Sequence, residues 1–173
     1  MLTLDRPRRD AALRPKPFGP IVMARGLGRG PTLLAAFDAA LLDAGVANYN
    51  LICLSSVIPP GSTIERRRWQ TPAHEWGQRL YCVLSQARED RTGHAVHAGI
   101  GWVHDEQGGQ GLFVELHDGD RDRLEHDLRA TLDTMQCNRG IALGPVHTEI
   151  VSARCEGEPV CALVIAVYAS EPW

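Results

Sequence analysis

The order of the apolar segments constrains the fold of this chain more than any other feature. Two stretches, residues 32–44 and 122–137, repeat apolar side chains every three to four positions, which predicts amphipathic helices. Alternating or short continuous apolar runs predict strands at 20–24, 49–56, 80–84, 96–102, 111–117, 146–155 and 160–169. Strands outnumber helices and do not alternate with them regularly. The pattern therefore predicts an α+β domain with helices packed on sheets.

Local signals predict where several of these elements begin and end. Thr32 is a suitable N-cap for the first helix, and Gly45 is a suitable stop. The sequence EGEP at 156–159, between the last two strands, predicts a hairpin turn. The polar stretch at 62–76, which contains three consecutive arginines, predicts a loop.

Length and composition predict one domain and exclude several classes of protein. A chain of 173 residues with 44% hydrophobic residues can bury one core, so we predict a single domain at 20–173 after a flexible arm, rich in Arg and Pro, at 1–19. The net charge of −3 gives no reason to expect a nucleic acid or an anionic membrane as partner. The chain contains neither a long apolar span nor a secretory signal, so the cytoplasm is the expected location. Five cysteines without a C-x-x-C pair predict neither a metal site nor a disulfide framework.

Three glycines at alternate positions follow the first predicted strand, in the sequence GLGRG at 26–30. Glycine tolerates tight turns and close approach of another backbone, and a phosphate could bind at the start of the helix that follows. The spacing does not match the dinucleotide-binding fingerprint, however. A tight turn between strand and helix is the simpler interpretation.

Asp38 is unusual because it shares a helix face with Leu34, Leu41 and Leu42. Burying an unpaired carboxylate among leucines is costly. Asp38 is therefore expected either to pair with a cation in the fold or to line a binding site, and the residues alone leave both interpretations open.

Two further places could support chemistry. The sequence SSVIPPG at 55–61 sets two hydroxyls at the end of an apolar strand, and rigid prolines after them could help to hold a strained peptide bond. A plain strand end is the alternative. Glu115, in the middle of a short strand, is either a solvated acid on an edge strand or a buried proton donor.

Taken together, these segments resemble the pyruvoyl-dependent arginine decarboxylase family from about residue 20 to residue 169. The resemblance rests on GLGRG at 26–30, LLAAFDAAL at 33–41, AGVANYNL at 44–51, LSSVIPP at 54–60, GLFVE at 111–115 and VIAVY at 164–168. The order of the aspartate in the helix, the asparagine in the strand and the Ser-Ser pair before proline is the most specific part.

The resemblance implies that the chain cuts itself between Ser55 and Ser56. Ser56 would become a covalent pyruvoyl cofactor, which acts as an electron sink for an amino-acid substrate, and Ser55 would become a new C-terminus. Asn50 and Glu115 fall on the other catalytic positions. Glu115 would donate a proton, which requires a neutral carboxyl group whose pKa is raised by burial.

The same resemblance implies the substrate, the assembly and the finer fold. Asp38 would bind the guanidinium group of L-arginine as a carboxylate, beside Leu34 and Val57, and the products would be agmatine and carbon dioxide. Members form trimers, or dimers of trimers, with sites between subunits, and fold as a four-layer αββα sandwich. Two alternatives remain: the same chemistry on another amino acid, in particular if the loop at 62–76 reaches the pocket, or an unprocessed binding or assembly protein.

Overall fold

The computed structural model describes residues 18–105 and 107–173, so most of the predicted arm at 1–19 lies outside the described residues. Within the described part the chain forms two α-helices and two sheets, which confirms the predicted α+β class. The helices are α1 (Leu33–Ala44) and α2 (Arg121–Arg139). The strands are β1 (Gly19–Arg29), β2 (Asn50–Cys53), β3 (Val57–Ile58), β4 (Ser62–Arg66), β5 (Arg79–Glu89), β6 (Ala95–His104), β7 (Gly111–Asp118), β8 (His147–Arg154) and β9 (Val160–Glu171).

The strands divide into a first sheet, in the order β2-β5-β9-β1-β4, and a second sheet, in the order β3-β7-β6-β8. In the first sheet β9 is antiparallel to both β1 and β5, while β4 and β2 run parallel to β1 and β5 respectively. All pairs in the second sheet are antiparallel. The chain therefore passes from the first sheet to the second between β2 and β3.

The predicted hairpin at 156–159 is wrong, because β8 and β9 belong to different sheets. Every residue of β9 from Val160 to Tyr168 is buried, whereas only one residue of β8 is. A strand that is apolar on both faces needs cover on both sides, which the centre of the first sheet provides. The turn carries the chain across the space between the sheets.

Three clusters of buried side chains make up the core. One lies between α1 and the first sheet and contains Ala36, Ala40, Leu163 and others. A second lies between the two sheets, with Phe113 among its largest members. The third joins α2 to the second sheet through Leu124, Leu128 and Leu132.

The predicted turn at the three glycines is wrong as well, since β1 continues through Gly26 and Gly28 to Arg29. A Cβ atom built on Gly28 would lie 2.0 Å from the carbonyl oxygen of Ala36, and one on Gly26 would lie 2.0 Å from that of Ala40. The glycines therefore allow α1 to lie directly on β1, and they form no phosphate-binding loop.

The stretch at 62–76 is more ordered than the predicted loop. Its first part forms β4, an edge strand parallel to β1, whose Ile64 packs against the core between the sheets. Residues Ala73–Glu75 form a single 3₁₀ turn. The sequence pattern does not reveal this strand because most of its side chains are polar, and an edge strand can expose most of its residues.

Both predicted ends of the first helix are confirmed. The Thr32 side chain accepts a hydrogen bond from the Ala35 amide at 3.1 Å, and Gly45 has a φ of 87°, a conformation that glycine adopts readily. In the described part of the chain, neither helix combines the length and the apolar character needed to cross a membrane.

Candidate active site

Ser56 lies where the chain passes from the first sheet to the second, in the short link between β2 and β3. Its φ is 63°, and among the described residues no other non-glycine residue has a positive φ. Such a conformation costs a residue with a side chain about 1–3 kcal/mol and persists only where the surroundings impose it. The backbone at the predicted cleavage point is therefore strained.

Hydrogen bonds from β7 hold Ser56 in this conformation. The Ser56 hydroxyl lies 2.9 Å from Oε1 and 2.7 Å from Oε2 of Glu115, so it donates to that carboxylate. The Phe113 amide donates to the Ser56 carbonyl oxygen at 2.8 Å. Ser56 is buried and Glu115 half-buried, in the strand between β3 and β6. Glu115 is thus a half-buried acid bonded to Ser56 rather than a solvated one.

A cavity of about 380 Å³ opens beside this segment. It is mostly apolar, and it is lined by Phe18, Leu54, Ser55, Val57, Pro59, Tyr81, Tyr168 and Ala169. Such a cavity can hold the reacting end of a small molecule next to the Ser55–Ser56 bond.

Tyr168, near the end of β9, is a polar residue at this site that sequence reasoning missed. Its hydroxyl donates to the Val57 carbonyl oxygen at 2.9 Å. Burial, together with the nearby Glu115 carboxylate, raises the pKa of the Tyr168 hydroxyl well above its usual value. A lone hydroxyl at the end of an otherwise apolar buried strand is the signal that could have revealed it.

Two predicted substrate-binding residues, Leu34 and Asp38, lie elsewhere in the chain. They line a separate cavity of about 480 Å³ along α1, next to Phe37 and Leu41. Asp38 is exposed rather than buried among leucines, and it takes part in none of the side-chain hydrogen bonds or ion pairs within the described residues. Of its two open interpretations, a structural acid that pairs with a cation is therefore not supported by the described residues.

Asn50, at the start of β2, is exposed, and its amide donates to the Gly77 carbonyl oxygen at 2.6 Å. It does not line the cavity beside Ser56. One chain thus brings Ser55, Ser56, Val57 and Glu115 together, while Asn50 lies apart from them, as do Leu34 and Asp38.

The three consecutive arginines do not reach the cavity beside Ser56. Arg66 pairs with Glu149 at 3.0 Å, and Arg67 pairs with the side chain of Glu65. Arg68 donates to the carbonyl oxygens of Leu42 and Asp43 at the end of α1, both at 2.8 Å. Each guanidinium group therefore binds another part of the protein, away from the cavity beside Ser56.

The described residues contain no group of three or more His, Cys, Asp or Glu side chains arranged to bind a metal ion. All five cysteines are free, three of them buried.

Comparison with known proteins points to one family. Residues 20–172 match the family model described as pyruvoyl-dependent arginine decarboxylase. A relative of that description from Halobacterium salinarum is 37% identical over 158 residues, which are 88% of this chain and 96% of the relative. Relatives of the same description from Thermoplasma volcanium and Methanothermobacter thermautotrophicus are 37% and 38% identical over 48% and 46% of this chain, and over 46% and 50% of their own lengths. The chain belongs to the pyruvoyl-dependent arginine decarboxylase family.

Proposed function

We propose that this chain cuts itself between Ser55 and Ser56 and then decarboxylates L-arginine to agmatine and carbon dioxide. The observation that supports this most directly is the Ser56 hydroxyl, which lies within 2.9 Å of both Glu115 oxygens while the Ser56 backbone is held at a φ of 63°. A nucleophile beside a base, next to a strained peptide bond, is the arrangement that self-cleavage requires.

Cleavage begins when Ser56 Oγ attacks the Ser55 carbonyl carbon. Glu115 takes the hydroxyl proton, which passes to the amide nitrogen of residue 56 as the Ser55 C–N bond breaks, and an ester joins the two residues. Loss of the Ser56 Cα proton then breaks the Cβ–Oγ bond, so that Ser55 leaves as a carboxylate. The dehydroalanine that remains takes up one water and releases ammonia to give the pyruvoyl group.

The residues present fit a pyruvoyl group at position 56. The Phe113 amide would go on holding the carbonyl oxygen of residue 56, and the apolar cavity lined by Ser55 and Val57 gives the substrate access while limiting water. When present, the group supplies an electron sink for the bond to the departing carboxylate. Glu115, which contacts the Ser56 hydroxyl in the uncut chain, would deliver a proton to the substrate carbon after carbon dioxide leaves.

Arginine is the proposed substrate because Asp38 offers an exposed carboxylate, which binds guanidinium well. Leu34 and Asp38 lie on α1, away from the Ser56 cavity, so we infer that a neighbouring subunit supplies them. Leu34 is 67% exposed and Leu42 52% exposed in the single chain, which suits burial in an oligomer. We propose a trimer, alone or paired into a hexamer, with sites between subunits and Asn50 completing them.

The finer fold proposed is a four-layer αββα sandwich. Its support is the separation of the core into three clusters, one on each side of the first sheet and one between the second sheet and α2. Such layering covers both faces of each sheet.

Two alternatives make different predictions. The same chemistry on another amino acid would keep the cleavage and change the substrate. An unprocessed binding or assembly protein would keep the fold and stay uncut. The strain at Ser56 and its bond to Glu115 favour cleavage over the second alternative.

The test of cleavage is the intact mass of the purified protein. We expect two fragments, residues 1–55 and 56–173, with the second bearing a blocked N-terminus. Ser56→Ala should remain one full-length chain, and Ser55→Ala serves as the matched control because it keeps the Ser56 nucleophile. A wild-type chain that remains whole after long incubation would exclude self-processing.

The substrate is tested by carbon dioxide release from arginine, lysine, ornithine, histidine and aspartate. We expect arginine to react fastest. Asp38→Asn should raise the KM for arginine by removing the charge that the guanidinium group needs. Preference for aspartate would contradict the role of Asp38.

A further inference from the structure

Tyr168 reaches the cleavage segment from the first sheet, whereas Glu115 reaches it from the second. It is only 8% exposed, and its ring packs edge-on against Phe113 at 6.2 Å and against Phe18 at 6.0 Å between ring centres. Packing of this kind leaves the ring little freedom to rotate. The position of its hydroxyl is therefore fixed by the core between the two sheets.

The hydroxyl ties the two sheets together at the residue that follows Ser56. Tyr168 belongs to β9 in the first sheet, whereas Val57 begins β3 in the second sheet. The bond to the Val57 carbonyl oxygen, at 2.9 Å, adds to the two contacts that β7 makes with Ser56. The segment is thus held at the Ser56 hydroxyl, the Ser56 carbonyl and the Val57 carbonyl.

Tyr168 can fill this role as a neutral donor across the ordinary pH range. Burial, and then the Glu115 carboxylate, raise the pKa of its hydroxyl, so the proton stays on the phenol oxygen. A neutral phenol keeps donating to the Val57 carbonyl while Glu115 exchanges a proton with Ser56. The two side chains therefore act on neighbouring atoms of the cleavage segment.

We propose that Tyr168 is a positioning residue for self-cleavage, and that its hydroxyl holds the Val57–Ile58 peptide, one residue after Ser56, so that Ser56 Oγ stays in line with the Ser55 carbonyl carbon. This inference rests on the proposed self-processing. A residue with a positive φ relaxes when the contacts that impose it are removed, and a small misplacement of a nucleophile slows its attack considerably. Tyr168 itself forms and breaks no covalent bond in the step.

The test is Tyr168→Phe, which removes the hydroxyl and keeps the ring. Chains made by cell-free synthesis start full length, and their cleavage is followed by intact mass. We expect cleavage about tenfold slower than in the wild type, as for the loss of one orienting hydrogen bond. Thermal unfolding, compared between Ser56→Ala and the double variant Ser56→Ala with Tyr168→Phe, reports whether the fold is retained.

Tyr49→Phe is the matched control. Tyr49 is also 8% exposed, and its hydroxyl also has partners, since it contacts Glu75 and accepts from the Trp69 indole at 3.2 Å. It lies in the core beneath α1, away from Ser56. We expect Tyr49→Phe to cleave at the wild-type rate, so that equal slowing in both variants would contradict a positioning role.

Hydroxylamine identifies the step that is slowed, because it cuts an ester but leaves an ordinary peptide bond intact. If Tyr168 acts on the attack by Ser56, no ester accumulates in Tyr168→Phe, and hydroxylamine should not speed its cleavage. Acceleration by hydroxylamine would move the role of Tyr168 to a later step and overturn this inference.

The remaining outcomes separate the two proposals. A wild-type chain that cleaves, together with a Tyr168→Phe chain that cleaves within about twofold of it, overturns the role of Tyr168 and leaves the proposed function standing. A wild-type chain that stays uncut overturns both.

Discussion

Ser56 combines two properties that are seldom found in one serine. Its backbone has a φ of 63°, and its hydroxyl donates to the Glu115 carboxylate. The first property stores strain in the adjacent peptide bond, and the second provides an acceptor for the proton that the nucleophile must lose. The reactivity that we propose for Ser56 would therefore follow from the crossing between the two sheets, which places Ser56 opposite β7.

Glu115→Gln tests the proton that this carboxylate is proposed to deliver to the substrate. The amide keeps the size of the side chain and can still accept from Ser56, but it has no acidic proton. We expect kcat for decarboxylation, measured on the cleaved fraction alone, to fall about 10²–10⁴-fold, the usual effect of removing a general acid.

The control is Glu125→Gln on α2, an acid that pairs with Arg121 and Arg129. Its kcat should match that of the wild type. Decarboxylation by cleaved Glu115→Gln at the wild-type rate would assign the proton to another group.

The resemblance assigned Ser56 and Glu115 to one catalytic site, and the structure brings their side chains into contact, whereas the residue pattern alone left both residues ambiguous. The positive φ of Ser56 could not be predicted, because serine has no preference for it and the contacts that impose it come from strands distant in sequence. Tyr168 was missed for the same reason. Its partner, the Val57 carbonyl, is a backbone atom 111 positions away.

Among the elements, the contact between α1 and β1 depends most directly on particular residues. Glycines at 26 and 28 leave one face of the strand without side chains, and alanines at 36 and 40 keep the facing side of the helix small. The helix backbone can then lie against the strand, with Leu34 and Asp38 on its outer side. The small residues on the inner face of α1 and on β1 thus determine where the outer, proposed substrate-binding face of α1 lies.

Gly28→Ala should therefore destabilise the fold. A Cβ atom there would lie 2.0 Å from the Ala36 carbonyl oxygen and 2.4 Å from the Ala40 nitrogen, and neither backbone atom can move without displacing α1. We expect the free energy of unfolding to fall by about 3 kcal/mol or more, measured by urea titration. Gly119→Ala is the control, because a Cβ atom at that position would have its nearest neighbour 3.9 Å away, and its titration should match that of the wild type.

Periodicity predicted the helices well because each has a clear apolar stripe and a recognisable cap. It predicted the partners of the strands poorly. Nothing local distinguishes a turn that pairs β8 with β9 from one that carries the chain to another sheet, and the polar β4 lacks the alternation of a half-buried strand. Pairing depends on contacts between distant segments, which a local pattern does not contain.

In the whole molecule, the proposed machinery is divided between two surfaces. Ser56 and Glu115 form a hydrogen bond within one chain, while Leu34 and Asp38 line a cavity separate from the one beside Ser56. Self-cleavage should accordingly need one chain, and decarboxylation should need two. This division predicts how inactive variants behave when they are combined.

Ser56→Ala and Asp38→Asn chains should recover activity when they are co-expressed in equal amounts. The assay uses an arginine concentration far below the KM of Asp38→Asn, at which neither variant alone is active. In a mixed oligomer some sites combine a cleaved Ser56 from the Asp38→Asn chain with the intact Asp38 of a Ser56→Ala neighbour. Random assembly of a cyclic oligomer gives such complete sites at about a quarter of all positions, so we expect about a quarter of the wild-type rate of carbon dioxide release. Sites contained within one chain would give none of this recovery.

The matched control combines Ser56→Ala with Glu115→Gln. Both altered residues belong to the same hydrogen-bonded pair in one chain, with 2.7 Å between the Ser56 hydroxyl and the nearer Glu115 oxygen. Exchange of subunits cannot then restore an intact pair, because every chain that keeps Ser56 carries the amide of the Glu115→Gln substitution beside it. This mixture should stay inactive at any ratio. Activity in this mixture would contradict the proposed division of residues between subunits. A lack of activity in the mixture of Ser56→Ala with Asp38→Asn would contradict it as well.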